Sequence, residues 1–342
     1  MPPPRVTAVV LNYNGRHLLD TIIASLVAQT YADVRRVILD DGSTDGSVEY
    51  VRARWPTVEV VELRENIGIT AALNRAVELA TGEYVALLNN DLELDPGWLS
   101  ELVRVLDEHP RTGSVTGKML DFYDRSVLDG AGDSFMWSSA AQRRGFREPD
   151  RGQFDQPSEV FSPCAGAALF RLAAFEDVGK FDPDFIAYLE DVDWGFRAQL
   201  RAWQSRYEPR AVAYHMGGAT TGKDTRRYGA LQRRNQVLLI VKNYPARSLM
   251  RHWPKILLHH GGWVAASIRD RMLLAHLGAW WDALRALPSA LRKRREIQRG
   301  RRVSLAYLDS VISPEPYAGD NLVERIRSIA RTAAPIFRRQ RS

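Results

Sequence analysis

The sequence predicts an α/β fold with a mostly parallel central sheet flanked by helices, followed by a C-terminal helical extension. Three observations carry that expectation. Short apolar runs alternate with amphipathic segments from Val6 to Leu88, the rhythm of consecutive βα units. Two of those runs, Val37-Ile38-Leu39 and Tyr84-Val85-Ala86-Leu87-Leu88, end abruptly in Asp40-Asp41-Gly42-Ser43-Thr44-Asp45 and Asn89-Asn90-Asp91. From about Gln232 onward the pattern is helical throughout.

Taken in order, Val6 to Leu11 is the first strand, Asn12-Tyr13-Asn14-Gly15 a loop, and Leu18 to Val27 an amphipathic helix. Val34 to Leu39 is the second strand. Asp45-Gly46-Ser47 caps a helix running through Val51, and the alternation of Val58 to Leu63 gives a third strand. Asn66-Ile67-Gly68 is a loop, Ala71 to Leu79 a helix, and Thr81-Gly82 ends it before the strand Tyr84 to Leu88. Asp95-Pro96-Gly97 opens a helix that reaches about Asp107, with proline in its favoured first turn. After a strand around Ser114 to Thr116, residues 121–162 show no periodicity, which in a compact domain suggests a functional loop or lid. Regularity returns in the strand Ala167 to Arg171, the helices Leu172 to Val178 and Glu190 to Arg201, and two strands, Ser205 to Glu208 and Ala211 to Tyr214. The expected domains are residues 1–230 and 231–342.

The chain of 342 residues is long enough for one large core and an appendage, and its 45% hydrophobic and 26% charged residues exclude a disordered or collagen-like polymer. A net charge of +6 favours anionic partners. The lone cysteine, Cys164, excludes an internal disulfide and is expected in the core beside Ala165 and Gly166. No window is apolar enough for a spanning helix, and no apolar segment precedes the first strand, so the expectation is a cytoplasmic protein with at most peripheral membrane contact.

Carboxylates at the ends of parallel strands lie where ligands gather in an open α/β sheet. Asp41 and Asp91 there can accept hydrogen bonds from a base or ribose, or hold Mg2+ or Mn2+ beside a diphosphate; as ordinary caps or turn residues they would do neither. Glu190, Asp191 and Asp193 crowd a helix start, which favours them electrostatically and also raises a carboxylate's pKa, as a general base requires. Asp191 is the candidate base. His215 follows a strand and precedes Met216-Gly217-Gly218, placing an imidazole at a loop that can approach a ligand, as a metal ligand or as a structural histidine. Trp194, next to the candidate base, could stack on a sugar face or pack in the core. Arg226, Arg227, Arg233 and Arg234 could hold a diphosphate or form a solvated helix face.

The ordered set Asn12-Tyr13-Asn14-Gly15, Asp40-Asp41-Gly42-Ser43, Asn66-Ile67-Gly68, Gly82-Glu83-Tyr84, Asn89-Asn90-Asp91, Gly166-Ala167-Ala168, Glu190-Asp191-Val192-Asp193 and His215 resembles glycosyltransferase family 2 over residues 5–220. The helical tail is similar to that of bacterial rhamnosyltransferase-like members. The resemblance implies a GT-A fold and metal-assisted transfer with inversion at the anomeric carbon. It places Asp41 on the nucleotide base, Asn12 and Asn90 in the nucleotide pocket, and Asp91 in the family's Asp-X-Asp position as a ligand of Mg2+ or Mn2+. It completes the metal site with His215, makes Asp191 the base and lets Glu190 position the acceptor. Asn89 departs from the pattern, being an amide where many members carry a carboxylate. The implied partners are a nucleoside-diphosphate sugar, with dTDP-rhamnose preferred over UDP-galactofuranose or another UDP-hexose, and a cell-surface polysaccharide or lipid-linked glycan acceptor.

The tail places Trp253, Trp263, Trp280 and Trp281 among apolar residues ahead of Arg292-Lys293-Arg294-Arg295, a composition suited to an anionic membrane surface or to a helical hairpin packed on another domain or on a second copy. Two other classes compete. A sugar nucleotidyltransferase would need a glycine-rich triphosphate loop, which Leu11 to Gly15 lacks. A membrane- or nucleic-acid-binding module would leave the acids at the strand ends unexplained, and no nucleic-acid motif is present.

Overall fold

A computed structural model describes residues 3–217, 225–269 and 271–312. Its strands and helices follow in chain order as β1 (Val6–Asn12), α1 (Leu19–Val27), β2 (Val34–Asp40), α2 (Ser47–Arg54), β3 (Glu59–Glu62), α3 (Ile69–Leu79), β4 (Tyr84–Asn89), β5 (Leu92–Leu94), α4 (Trp98–Glu108) and β6 (Thr112–Asp121). Then come β7 (Leu128–Gly130), β8 (Asp133–Phe135), β9 (Ala141–Arg143), β10 (Ser158–Val160), β11 (Ala167–Arg171), α5 (Leu172–Val178), α6 (Glu190–Leu200) and β12 (Gln204–His215). Four helices close the described chain: α7 (Thr225–Asn243), α8 (Ala246–Arg269), α9 (Leu273–Arg299) and α10 (Leu305–Val311).

The described residues form two compact units, one of residues 3–134, 142–217 and 301–303, the other of 135–141, 225–269, 271–300 and 304–312. The boundary expected near residue 230 falls inside α7, and the tip of the β8–β9 hairpin belongs with the helical unit.

The sheet of the first unit runs β10-β12-β6-β11-β4-β1-β2-β3, with β5 on β12 and β7 on β6. It is mixed. The strands β3, β2, β1 and β4 are mutually parallel, as is the pair β6 and β12, but β11 inserts antiparallel between β4 and β6. Because β2 and β4 flank β1 on opposite sides, the carboxyl ends of β1 and β4 form the switch point where such sheets bind ligands. Alternation along the strands feeds two apolar layers: Val6, Ala8 and Val10 face α1 and α4, while Val9 and Leu11 face α3, α5 and α6.

The region expected to be irregular contains β7, β8, β9 and β10, each of three residues and so too short to show a period. The two strands expected after Trp203 are one, β12, broken by a register shift between Glu208 and Val212. Cys164 packs half-buried against the first core layer, where burial pushes its thiol up to about 12. No helix among the described residues is long and apolar enough to cross a membrane.

Candidate active site

At the switch point the polar strand ends are tied together below the surface. Asn12, at the end of β1, donates to Asp40 Oδ2 (2.8 Å) and Ser43 Oγ (3.3 Å) and accepts from Asn90 Nδ2 (2.8 Å). One amide thus links the ends of β1, β2 and β4, and both asparagines are almost fully buried. Asn12 and Asn90 form the floor of the site. Gly15 passes so close above them that a Cβ there would meet Asn90 Nδ2 at 2.1 Å and Asn12 Oδ1 at 2.6 Å, so only glycine fits.

Asp41 sits beside this floor and accepts the amides of Ile67 (2.8 Å) and Gly68 (3.2 Å), which fixes the Asn66-Ile67-Gly68 loop against β2. Burial raises the Asp41 carboxyl, and these two amides oppose the shift.

Asp91 and His215 are neighbours because β5, which begins one residue after Asp91, pairs antiparallel with the end of β12 in the register Leu92 to His215. The Asp91 carbonyl accepts the Met216 amide at 2.9 Å. His215 Nε2 lies 3.4 Å from Asp91 Oδ1, a buried oxygen that makes no hydrogen bond. On its other side, His215 Nδ1 is 2.8 Å from Asp129 Oδ2, which also accepts Arg143 Nη1 at 2.7 Å. Burial alone would lower the imidazole's pKa, but Asp129 and Asp91 outweigh it and raise it to about 9.

Asp191, the second residue of α6, has its carboxylate held by the amides of Ala165 (3.2 Å) and Val192 (2.8 Å). The Ala165 segment also meets the end of β4, where the Asn89 amide donates to Gly166 at 2.8 Å. Burial raises the Asp191 pKa against those amides and the nearby Arg143. Burial and then the Asp191 charge push both Glu190 and Asp133 up to about 8, and the Glu190 Oε2 is buried without a hydrogen-bond partner. The chain enters α6 through Ile186, Tyr188 and Leu189, all at positive φ (61, 66 and 65°). Such a conformation costs about 1–3 kcal/mol per non-glycine residue and persists where surrounding contacts impose it. Thr70 Oγ1 donates to Ile186 O at 2.8 Å, and Asn74 brackets Phe181 from both sides at 2.8 and 2.9 Å.

Trp194 does not line the site. It is 0% exposed, packs against Phe170, Phe175 and Phe181, and donates its indole N–H to Gly179 O at 3.0 Å. The expectation of a sugar platform is corrected for a simple reason: α6 is buried on nearly every face, and its tryptophan belongs to the apolar layer beneath the sheet. Of the four arginines considered for a diphosphate, the side chains of Arg226 and Arg227 lie outside the described residues, as does Gly218, and Arg233 stacks on Trp263 within the helical unit, 4.4 Å from the ring centre.

Residues 7–179 match the pattern of Glycosyl transferase family 2. The chain belongs to that family. It is 27% identical over 323 residues to an N-acetylglucosaminyl-diphospho-decaprenol L-rhamnosyltransferase of Mycobacterium tuberculosis, covering 88% of this chain and 97% of that protein. It is also 27% identical over 212 residues to a poly-beta-1,6-N-acetyl-D-glucosamine synthase of Staphylococcus epidermidis, where 61% of this chain spans 49% of the synthase. Among solved structures, a mannosyltransferase from Pyrobaculum calidifontis, in complex with GDP-Man and Mn2+, superposes with a TM-score of 0.55 at 20% identity over 91% of this chain and 89% of that one, a likeness of fold. The protein is therefore a family 2 glycosyltransferase with a GT-A fold and a helical C-terminal region.

Within this glycosyltransferase, the family match contains Asn12, Asp41, Asn90 and Asp91 but ends before Glu190, Asp191 and His215. The residues that sequence reasoning missed are Asp129, Asp133 and Arg143, all from the stretch without periodicity. The donor set suits a divalent cation of the oxygen-preferring kind. Asp91 Oδ1 is buried without a hydrogen bond and an imidazole nitrogen faces it, while no cluster of three or more metal-ligating side chains occurs among the described residues. Two protein ligands leave room for substrate phosphates and water in the shell, as Mg2+ and Mn2+ demand.

Proposed function

We propose that this glycosyltransferase moves rhamnose from dTDP-rhamnose, with inversion, to a hydroxyl of a lipid-linked glycan, at the inner face of a membrane that it does not cross. The observation that carries the reading is the pairing of the unsatisfied Asp91 oxygen with His215 beside the switch point, on the sheet whose β4 end also meets the loop that holds Asp191. The rhamnosyltransferase relative, matched over nearly its whole length, supports the choice of sugar and of a polyprenyl diphosphate-linked acceptor.

In this reading Asp41 and the loop it holds receive the base, above the floor made by Asn12 and Asn90. Asp91 and His215 would hold Mg2+ or Mn2+, and a bound ion would neutralise charge on the leaving diphosphate. Asp191 accepts the proton of the acceptor hydroxyl as its oxygen bonds to the anomeric carbon, and the bond from that carbon to the diphosphate oxygen breaks with its electron pair leaving on the nucleoside diphosphate. The raised pKa of Asp191 suits this role because a base tuned toward neutrality accepts a proton more readily. Glu190, with an unpartnered oxygen, holds the acceptor.

A UDP-hexose or UDP-galactofuranose donor is the second reading, since the Ile67 and Gly68 amides of the loop are taken by Asp41 and leave no contact that selects thymine over uracil. The test is a panel of dTDP- and UDP-sugars incubated with a polyprenyl diphosphate N-acetylglucosamine acceptor and Mn2+, with product read by mass spectrometry. A mass increase of one deoxyhexose with dTDP-rhamnose alone supports rhamnosyl transfer; an increase only with a UDP-sugar overturns it.

A further inference from the structure

Large apolar side chains are exposed unevenly along this chain. In the first unit they are scattered, as at Tyr13, Ile67 and Tyr123. In the helical unit they form rows. Along α9, Leu274 (84% exposed), Leu277, Trp281, Leu284 and Leu291 recur at spacings of three, four, three and seven, which places them on one helix face. Along α8, Met250, Trp253, Leu257 and Ile268 do the same. These are not the packing faces. The helices turn other residues inward: Ser248, His252 and Ser267 of α8, and His276, Ala279, Ala283 and Ala290 of α9.

Charge singles out the same helices. Residues 246–299 contain 11 Lys and Arg against 3 Asp and Glu, whereas the rest of the chain contains 36 against 38. The whole basic excess of the protein therefore lies in α8, α9 and the short turn between them. On the α9 row itself lie Arg285, over the Trp281 ring at 5.3 Å, and the exposed Arg292 and Arg295.

We propose that the exposed faces of α8 and α9 form a docking surface for an anionic lipid bilayer, which they enter as interfacial helices with tryptophan and leucine in the headgroup region and arginine on the phosphates. Two features favour lipid over a second copy of the chain. An identical copy would bring the same excess of eight positive charges against itself, while anionic headgroups complement it. Apolar rows bordered by cations and tryptophans are what an interfacial helix requires, since its apolar face sinks only about 5–10 Å into the headgroup boundary.

The test uses the full chain and vesicles of phosphatidylcholine alone or with roughly one-third phosphatidylglycerol, an anionic fraction that gives a surface potential cations can sense. Most of the protein is expected to sediment with the anionic vesicles, little with the neutral ones, and less as salt rises. A variant carrying Leu257→Glu, Leu274→Glu and Trp281→Glu is expected to stay in the supernatant with unchanged melting temperature and unchanged nucleotide binding. Absence of sedimentation with either vesicle overturns the proposal. So does equal sedimentation of the variant, or a dimer by light scattering that the variant abolishes while wild type ignores lipid. The vesicles contain no sugar acceptor, so this outcome is independent of the donor and of transfer.

Discussion

The two units depart from ordinary burial in opposite directions. Around the switch point, polar groups are taken out of water: Asn12, Asp41, Asn90, Asp91 and Glu190 are buried, and Asp91 and Glu190 each keep an oxygen without a hydrogen bond. In α8 and α9, leucine and tryptophan remain in contact with water. Each departure costs stability, through an unsatisfied carboxylate in one unit and an unburied apolar row in the other. Function is expected where the burial rule fails, and the sign of the failure points to the partner: a buried carboxylate oxygen without a hydrogen bond suits a cation or a hydroxyl, an exposed apolar row suits an apolar phase.

The sharpest way to break the polar side of this contrast is Asp191→Asn. It should lower transfer by about 10²–10⁴-fold, the usual share of a general base, while leaving donor affinity intact by calorimetry. Loss of both together would make Asp191 a structural residue. Asp129→Asn should act one step further out. It leaves His215 without its carboxylate partner, and metal-dependent donor binding should weaken by roughly 10–100-fold, as is typical when the group behind a metal-bound histidine is removed. Unaltered Mn2+ dependence would show that Asp129 does not orient the ring.

Three smaller effects sharpen the contrast. Arg143 lowers the Asp191 pKa, so Arg143→Met should raise it and move the acid limb of the kcat/KM profile to higher pH; an unmoved limb would separate the guanidinium from the base. Glu190 is pushed to about 8 in the folded protein, above its unfolded value, so folding takes up a proton and stability declines as pH rises toward 8. Glu190→Gln cannot ionise and should therefore melt higher than wild type at pH 8, with the difference fading at pH 5. Trp194→Phe should cost roughly 1–3 kcal/mol through a lost indole hydrogen bond and a small cavity, with no change in acceptor KM; a raised KM would return Trp194 to the site.

Much of the fold was legible because the parallel strands β1, β2 and β4 are apolar runs that stop at polar residues, and their helices carry a clear period. The placing of Asp41, Asp91 and His215 at strand ends was legible for the same reason, since Asp41 and Asp91 follow β2 and β4 and His215 ends β12. Asp129, Asp133 and Arg143 could not be found, because β7, β8 and β9 are three-residue strands with no period to detect, and what ties Asp129 to His215 is a side-chain contact between residues far apart in the chain. Asn12 could be placed in the pocket but not assigned to its floor, since its partners Asp40 and Asn90 come from two other strands. Trp194 misled because proximity in sequence to Asp191 says nothing of the helix face, and α6 has almost no exposed face to offer. The tail's apolar and basic residues were visible in composition; their division into inward and outward rows needed the packing of α8 and α9.

Asp91 and His215 are proposed to create a metal-dependent nucleotide site served by Asp191 as a separate base. Calorimetric titration of dTDP into wild type, His215→Gln and Asp191→Asn, each with and without Mn2+, tests this most directly. The account predicts Mn2+-dependent binding in wild type and Asp191→Asn, and loss of the Mn2+ dependence in His215→Gln. Metal-independent binding that is equal in all three proteins would contradict it.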